Sequence, residues 1–111
     1  MLVAVVRTRV YRASDEVEHE QWLARLNEAA DRLELEAPAR SRASDLFLST
    51  LPEADRSKRA AMATALYVAA LAEGDRRSQT AVAEAADVSR LTIQSRWKDL
   101  MAEAGLETPD W

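Results

Sequence analysis

The stretch that decides the fold is KRAAMATALYVAALAEG, residues 58–74. Its centre is apolar on nearly every side of a helix, with Met62, Leu66 and Leu71 set among many alanines. A helix that is apolar all round is enclosed by its neighbours, and small side chains let those neighbours approach closely. The sequence therefore predicts a central helix, most buried over residues 60–71. A surface helix that merely favours alanine is the alternative, because alanine is the best helix former.

Two helices are predicted before the central one. Ser14 can cap the first, and acidic residues in its first turn complement the positive end of the helix. This helix ends near Leu35, and its apolar positions recur at helical spacing: Trp22, Leu26, Ala29 and Leu33. Pro38 suits the first position of the second helix, which stops before Pro52. One apolar face of the second helix consists of Ala39, Ala43, Leu46, Phe47 and Leu51.

Two further helices are predicted after the central one, in SQTAVAEAADVSRLTIQSRWKDL, residues 78–100. Ser78 caps the first of them, and Ser89 caps a longer one that reaches about residue 104, before Gly105. Asp87 stands where a helix-turn-helix needs a residue that tolerates positive φ. The inward positions are Val82, Ala83, Ala86, Ile93, Trp97 and Leu100. The sequence thus predicts an all-α fold of five helices that ends in a helix-turn-helix.

The outer face of the last helix is polar and basic. The residues left there are Ser89, Arg90, Leu91, Gln94, Ser95 and Lys98. Residues 76–98 contain five basic side chains and two acidic ones, a net charge of +3, whereas residues 14–36 contain two basic and eight acidic ones, a net charge of −6. This polarity favours a local nucleic-acid contact at the last helix. A solvated helix face of the same composition remains the alternative.

The chain divides into an arm at 1–13, a helical domain at 14–105 with its helix-turn-helix at 78–104, and a tail at 106–111. The arm, MLVAVVRTRVY followed by Arg12 and Ala13, is β-branched and basic without a helical period. We expect it to be loose or strand-like, and its arginines could touch phosphate. Trp111 in the tail either folds back on the core or docks a partner.

Composition excludes several classes of protein. The 111 residues suffice for one domain. The sequence has no cysteine, and the lone His19 cannot form a cluster for a metal or a proton relay. We therefore expect no metal, no cofactor and no enzymatic activity. No stretch is long and apolar enough to cross a membrane, so a cytoplasmic location is expected. The net charge of −4 means that any DNA contact has to be local.

Residues 56–105, RSKRAAMATALYVAALAEGDRRSQTAVAEAADVSRLTIQSRWKDLMAEAG, carry a resemblance to a known family. They resemble one cyclin-box repeat of archaeal transcription factor B and eukaryotic transcription factor IIB, in which an alanine-rich buried helix precedes a helix-turn-helix. The span from about Glu18 to Gly105 fits the five-helix cyclin fold. In that family the last helix of the second repeat reads a promoter element, and the repeats hold the TATA-binding protein.

The resemblance implies roles for particular residues. Leu91, Thr92 and Gln94 would lie nearest the base edges, and Arg96 and Lys98 would suit backbone contact. The family usually has arginine where this chain has Gln94. Because arginine favours guanine and glutamine favours adenine, we expect a different base preference. The acidic, lysine-poor composition suits a salt-rich cytoplasm, although a coding bias toward arginine would look the same.

The sequence supports two functional hypotheses. The first is a DNA-binding module of transcription initiation that contacts promoter DNA through its last helix and through phosphate contacts from Arg76, Arg77, Arg96 and Lys98. The zinc ribbon, the segment that follows it and the second repeat of the family are missing here, so we expect a small regulator or accessory factor. The rival is a protein-interaction module that binds the TATA-binding protein, another basal factor or itself. The oligomeric state stays open.

Overall fold

The computed structural model describes residues 13–50 and 55–108, with side-chain surroundings from residue 19 to 50 and from 57 to 108. All regular secondary structure in these ranges is helical. The segments are α1 (Ala13–Leu33), α2 (Ala37–Ser49), α3 (Asp55–Ala72), α4 (Gln79–Ala86), α5 (Arg90–Gln94) and α6 (Trp97–Glu103). The all-α prediction is confirmed. The predicted fifth helix is divided into two short segments, α5 and α6.

The helix starts differ from the predictions in two details. Because α1 begins at Ala13, Ser14 lies inside its first turn and is not the N-cap. In α2 the N-cap is Glu36, so Pro38 occupies the second helical position, where its missing N–H also costs no helical hydrogen bond. The predictions for residues 1–12, for Leu51 and for Trp111 fall outside the described residues.

The helix α3 forms the centre of the domain and contacts each of the other five segments. From Met62 to Ala70 every residue is buried, and Ala61 is half-buried. Four of the buried residues are alanines, which allow the neighbouring helices to approach closely: Ala63, Ala65, Ala69 and Ala70. The hydroxyl of Thr64 is also buried and donates to the carbonyl of Ala60 at 2.8 Å. The prediction of an enclosed central helix is confirmed.

Aromatic side chains join the outer helices to this centre. Trp97 is 2% exposed, and its ring meets that of Tyr67 edge-on, with centroids 5.5 Å apart. Trp22 is 4% exposed and lies 6.4 Å from the ring of Phe47. The guanidinium of Arg25 lies 4.4 Å from the centroid of Trp22, a cation–π contact that covers the ring at the surface. Both tryptophans are core anchors, as the sequence indicated.

The last predicted helix is interrupted at Ser95 and Arg96. The hydroxyl of Ser95 donates to the carbonyl of Thr92 at 3.2 Å, and this carbonyl is the α-helical acceptor for the N–H of Arg96. The N–H of Arg96 bonds instead to the carbonyl of Ile93, one residue nearer along the chain. The interruption thus coincides with the hydroxyl bond of Ser95, and α6 restarts at the buried Trp97.

The domain closes at its C-terminal end where the sequence predicts. Gly105 has φ +74°, and its N–H donates to the carbonyl of Ala102. The N–H of Leu106 donates to the carbonyl of Met101 at 2.9 Å, and its half-buried side chain packs against the core. This pairing satisfies the last carbonyls of α6 and is typical of a glycine-terminated helix. No helix in the described ranges is both long and apolar enough to cross a membrane.

Candidate nucleic-acid interface

The candidate interface is built on α4, the turn at Asp87, and α5. Ser78 caps α4 by accepting the N–H of Ala81 at 3.0 Å. Asp87 then takes the left-handed conformation with φ 62° and ψ 48°, which reverses the chain after α4. The N–H of Val88 donates to the carbonyl of Ala83 at 2.9 Å and fixes the turn. The sequence correctly identified Asp87 as the residue with positive φ.

The same unit buries one side of each helix. Val82, Ala83 and Ala86 of α4 are buried, as are Ile93 of α5 and the pair Trp97 and Leu100 of α6. All six were predicted to face inward. In α5 only Ile93 is buried, so the rest of its short surface is left to solvent. The buried Ile93 and the turn at Asp87 together determine which side chains of α5 face solvent.

The outward side chains are those expected from the sequence. Ser89, Arg90, Leu91, Gln94, Ser95, Arg96 and Lys98 are exposed, whereas Thr92 is half-buried. Ser89 caps α5 by accepting the N–H of Thr92 at 3.3 Å, and the two hydroxyls lie 3.0 Å apart. Leu91 is 67% exposed, so an apolar side chain is part of this surface. Ser89 and Thr92 are thus engaged in the helix cap, whereas the longer side chains of this face extend into solvent.

Hydrogen bonds link the face of α5 to the start of α4. An Nη1 atom of Arg90 lies 3.3 Å from Oε1 of Gln79 and 3.5 Å from Oε1 of Gln94. Gln79 is the first residue of α4 and was not among the predicted site residues. The sequence signal for Gln79 was its position directly after the helix cap Ser78, next to the predicted DNA-binding face.

A groove of about 520 Å³ runs between the start of α3 and α5. Arg59 and Arg96 are its cationic lining residues, and Leu91 and Ser95 lie along the α5 side. Arg59 was also not predicted as a site residue. Its guanidinium lies 5.6 Å from the ring of Trp22 and donates to the carbonyl of Ala86 at 3.4 Å. Sequence patterns alone do not bring Arg59 to α5, since α5 begins 31 residues later in the chain.

Lys98 and Arg76 are the remaining predicted cations of the surface. The Nζ atom of Lys98 lies 5.6 Å from the ring centroid of Trp97, so the side chain lies over the aromatic anchor of α6. Its charged end stays at the surface, because the residue is exposed. Arg76 is exposed in the loop between α3 and α4. Both residues are therefore exposed to solvent.

Arg77 has a different environment. Its guanidinium donates to the carbonyls of Leu33 at 2.8 Å and Glu34 at 3.1 Å, and to the carboxylate of Asp75 at 2.8 Å. Glu34 itself has a φ of 57° at the end of α1. The guanidinium therefore ties the loop before α4 to the end of α1. This engagement leaves Arg77 poorly placed for the phosphate contact expected from the sequence.

Asp75 completes this tie between the loop and α1. The backbone N–H of Glu36 donates to its carboxylate at 2.9 Å. This hydrogen bond, together with that from Arg77, lowers the pKa of Asp75 below its ordinary value of 3.8, because both partners favour the charged form. The loop that leads into α4 is thus held by a charged pair and by backbone groups.

These features define a cyclin-like helical module with a polar, partly basic helix surface at its C-terminal end. The family described as transcription factor TFIIB repeat matches residues 16–103, which is most of the chain. The chain belongs to the TFIIB repeat family and is a transcription-related cyclin-fold module. A comparison with curated proteins finds no match.

Proposed function

We propose that the chain is a DNA-binding module that acts in transcription initiation as a small regulator or accessory factor. In this proposal α4 and α5 work as a helix-turn-helix, and the outer face of α5 enters the major groove of promoter DNA. The observation that carries the proposal is the orientation of α5. The turn at Asp87 and the buried Ile93 leave Arg90, Leu91 and Gln94 exposed together.

The exposed side chains suit the parts of a DNA major groove. The amide of Gln94 can hydrogen-bond to a base edge, and the apolar Leu91 can contact a thymine methyl group. Arg96 and Lys98 follow on the next turn, where cations meet phosphate. Ser89, Arg90, Thr92 and Ser95 complete the proposed surface, with Arg76 as a phosphate contact. We leave Arg77 out because its guanidinium is engaged with α1.

A protein-interaction module is the second candidate function. It is compatible with the exposure of Leu91, because an apolar side chain that is 67% exposed can contact a protein partner as well as a thymine methyl. The net charge of −4 also weakens association with DNA at long range. The partner in this case is the TATA-binding protein, another basal factor or a second copy of the chain.

The test measures DNA affinity as a function of salt, with and without the TATA-binding protein. Gln94→Ala is expected to cost about 1–3 kcal/mol on a preferred site and to relax the base preference, since it removes a base-edge contact. Arg96→Ala and Lys98→Ala are expected to weaken binding to all sequences and to lower the salt slope by about one unit per lost phosphate contact.

Arg42→Ala is the matched control, because it removes the same charge from α2, where Arg42 pairs with Glu73. We expect it to change neither the base preference nor the slope of DNA affinity against salt concentration. If the variants at Gln94, Arg96 and Lys98 bind DNA like the parent in both conditions while the parent captures the TATA-binding protein, the interaction module replaces this proposal.

A further inference from the structure

The contact between Arg90 and two glutamines fixes how their amides are oriented. Arginine has hydrogen-bond donors and no acceptor, so the amide atom that faces its guanidinium has to be the oxygen. Nη1 of Arg90 approaches Oε1 of Gln79 at 3.3 Å and Oε1 of Gln94 at 3.5 Å. Both amide nitrogens therefore point away from Arg90. Both distances are at the long end of the hydrogen-bond range, and the Gln79 contact is the shorter of the two.

The remaining polar groups of this cluster are donors. The Nε2 atoms of Gln79 and Gln94, and the Nε and Nη2 atoms of Arg90, make no hydrogen bond with the described residues. Gln94 and Arg90 are exposed and Gln79 is half-buried. The cluster thus presents N–H groups outward while its two carbonyl oxygens are turned toward the guanidinium.

This orientation changes the base that Gln94 selects. A free glutamine reads adenine because its oxygen accepts from N6 while its nitrogen donates to N7. Guanine presents two acceptors in the major groove, N7 and O6. A group that offers only donors matches guanine and leaves the N6 amino group of adenine without an acceptor. We propose that Gln79, Arg90 and Gln94 form one donor-presenting unit that selects guanine over adenine.

Within this unit Gln79 is a positioning residue. It need not reach a base itself, because its carbonyl holds Arg90 between the two amides and so helps to keep the oxygen of Gln94 turned away from DNA. The inference rests on the proposed DNA-binding function and adds the base class that the same surface reads. It also differs from the expectation for an isolated glutamine at position 94, which is adenine.

The test compares base preference in the full chain and in its variants. The parent is used to select DNA duplexes from a random library. Affinities are then measured for duplexes that carry guanine or adenine at the position with the strongest base preference. We expect the parent to prefer guanine. Gln79→Leu keeps the size of the side chain and removes the carbonyl, so it is expected to reduce the guanine preference roughly tenfold, within the range that one well-placed base contact supplies.

Coupling between the residues gives a second measurement. Gln94→Leu is expected to remove the preference, and adding Gln79→Leu to it should cause no further change, because Gln79 acts through Gln94 and Arg90. Gln21→Leu, at an exposed position on α1, is the matched control and should keep the parent preference. Thermal melts of all variants establish that the fold is retained.

The outcomes separate the two proposals. If the parent binds no DNA with or without the TATA-binding protein, the proposed function and this inference both fail. If the parent binds DNA but prefers adenine, or if Gln79→Leu keeps the parent's guanine preference, only the donor-presenting unit is overturned. A guanine preference that Gln79→Leu reduces and Gln21→Leu does not supports it.

Discussion

The helices α3 and α5 differ in how much of their surface is buried. From Met62 to Ala70 the central helix is buried on all sides, and its polar Thr64 satisfies its hydroxyl within the helix. In α5 only Ile93 is buried, and the polar side chains bond to one another at the surface. The buried core and the exposed polar face are thus carried by different helices. Substitutions in one should leave the role of the other intact.

The largest expected effect is at Leu66, which is fully buried in α3. Leu66→Asp places an unpaired charge in the core, and we expect a loss above about 4 kcal/mol, enough to unfold a domain of this size. Leu91→Asp is the matched control on α5, where the side chain is exposed and the fold should survive. Circular dichroism melts measure both. A cooperative parent-like transition in Leu66→Asp would contradict the central position of α3.

A smaller effect is expected at the cap of α5. Ser89→Ala removes the acceptor for the N–H of Thr92 and should cost about 1 kcal/mol in the free energy of unfolding. Ser41→Ala, at an exposed position inside α2, should cost less, because no cap is lost there. Urea unfolding of both variants gives the comparison. Equal effects would mean that α5 does not depend on its cap.

The turn at Asp87 should show a still smaller effect that depends on the backbone. Alanine is disfavoured at φ 62°, so Asp87→Ala is expected to destabilise the domain by less than about 1 kcal/mol. Asp87→Gly should be at least as stable as the parent at this position, since glycine adopts this conformation without a steric cost. The order of their unfolding midpoints is the measurement. A less stable glycine variant would show that the Asp87 side chain itself is needed.

The smallest effect concerns acid pH and the tie between the loop and α1. Because the pKa of Asp75 is lowered in the folded state, its stabilising contribution is present above the ordinary value of 3.8 and is lost as pH falls through the folded pKa. Asp75→Asn should therefore melt below the parent at neutral pH, with a difference that shrinks as pH falls below that value.

Asp45→Asn serves as the control for this pH dependence. Asp45 is exposed on α2 and makes no ion pair with the described residues. The melting temperature of Asp45→Asn should differ little from that of the parent at neutral pH. If Asp75→Asn and Asp45→Asn follow the same pH curve, the bonds from Glu36 and Arg77 do not stabilise the folded state.

Much of the interface could be predicted because its determinants are local. Ser78 and Ser89 cap the helices that follow them, and Asp87 takes the conformation expected for its place in the turn. The break at Ser95 and Arg96 was missed because hydrophobic periodicity continues through it from Ile93 to Trp97 and Leu100, and periodicity does not register a change in backbone hydrogen bonding.

The sequence by itself determined the all-helical class, the enclosed α3 and the outward side of α5, because hydrophobic periodicity and capping act over a few residues. Only the tertiary structure decided what the cations do. Arg77 is turned toward the end of α1, where its partner Glu34 lies 43 residues earlier in the chain. Arg90 is placed between Gln79 and Gln94. The net charge of residues 76–98 counts Arg77 and Arg90 equally. Their roles differ because a guanidinium bonds to whichever carbonyls the packing of the helices brings within reach.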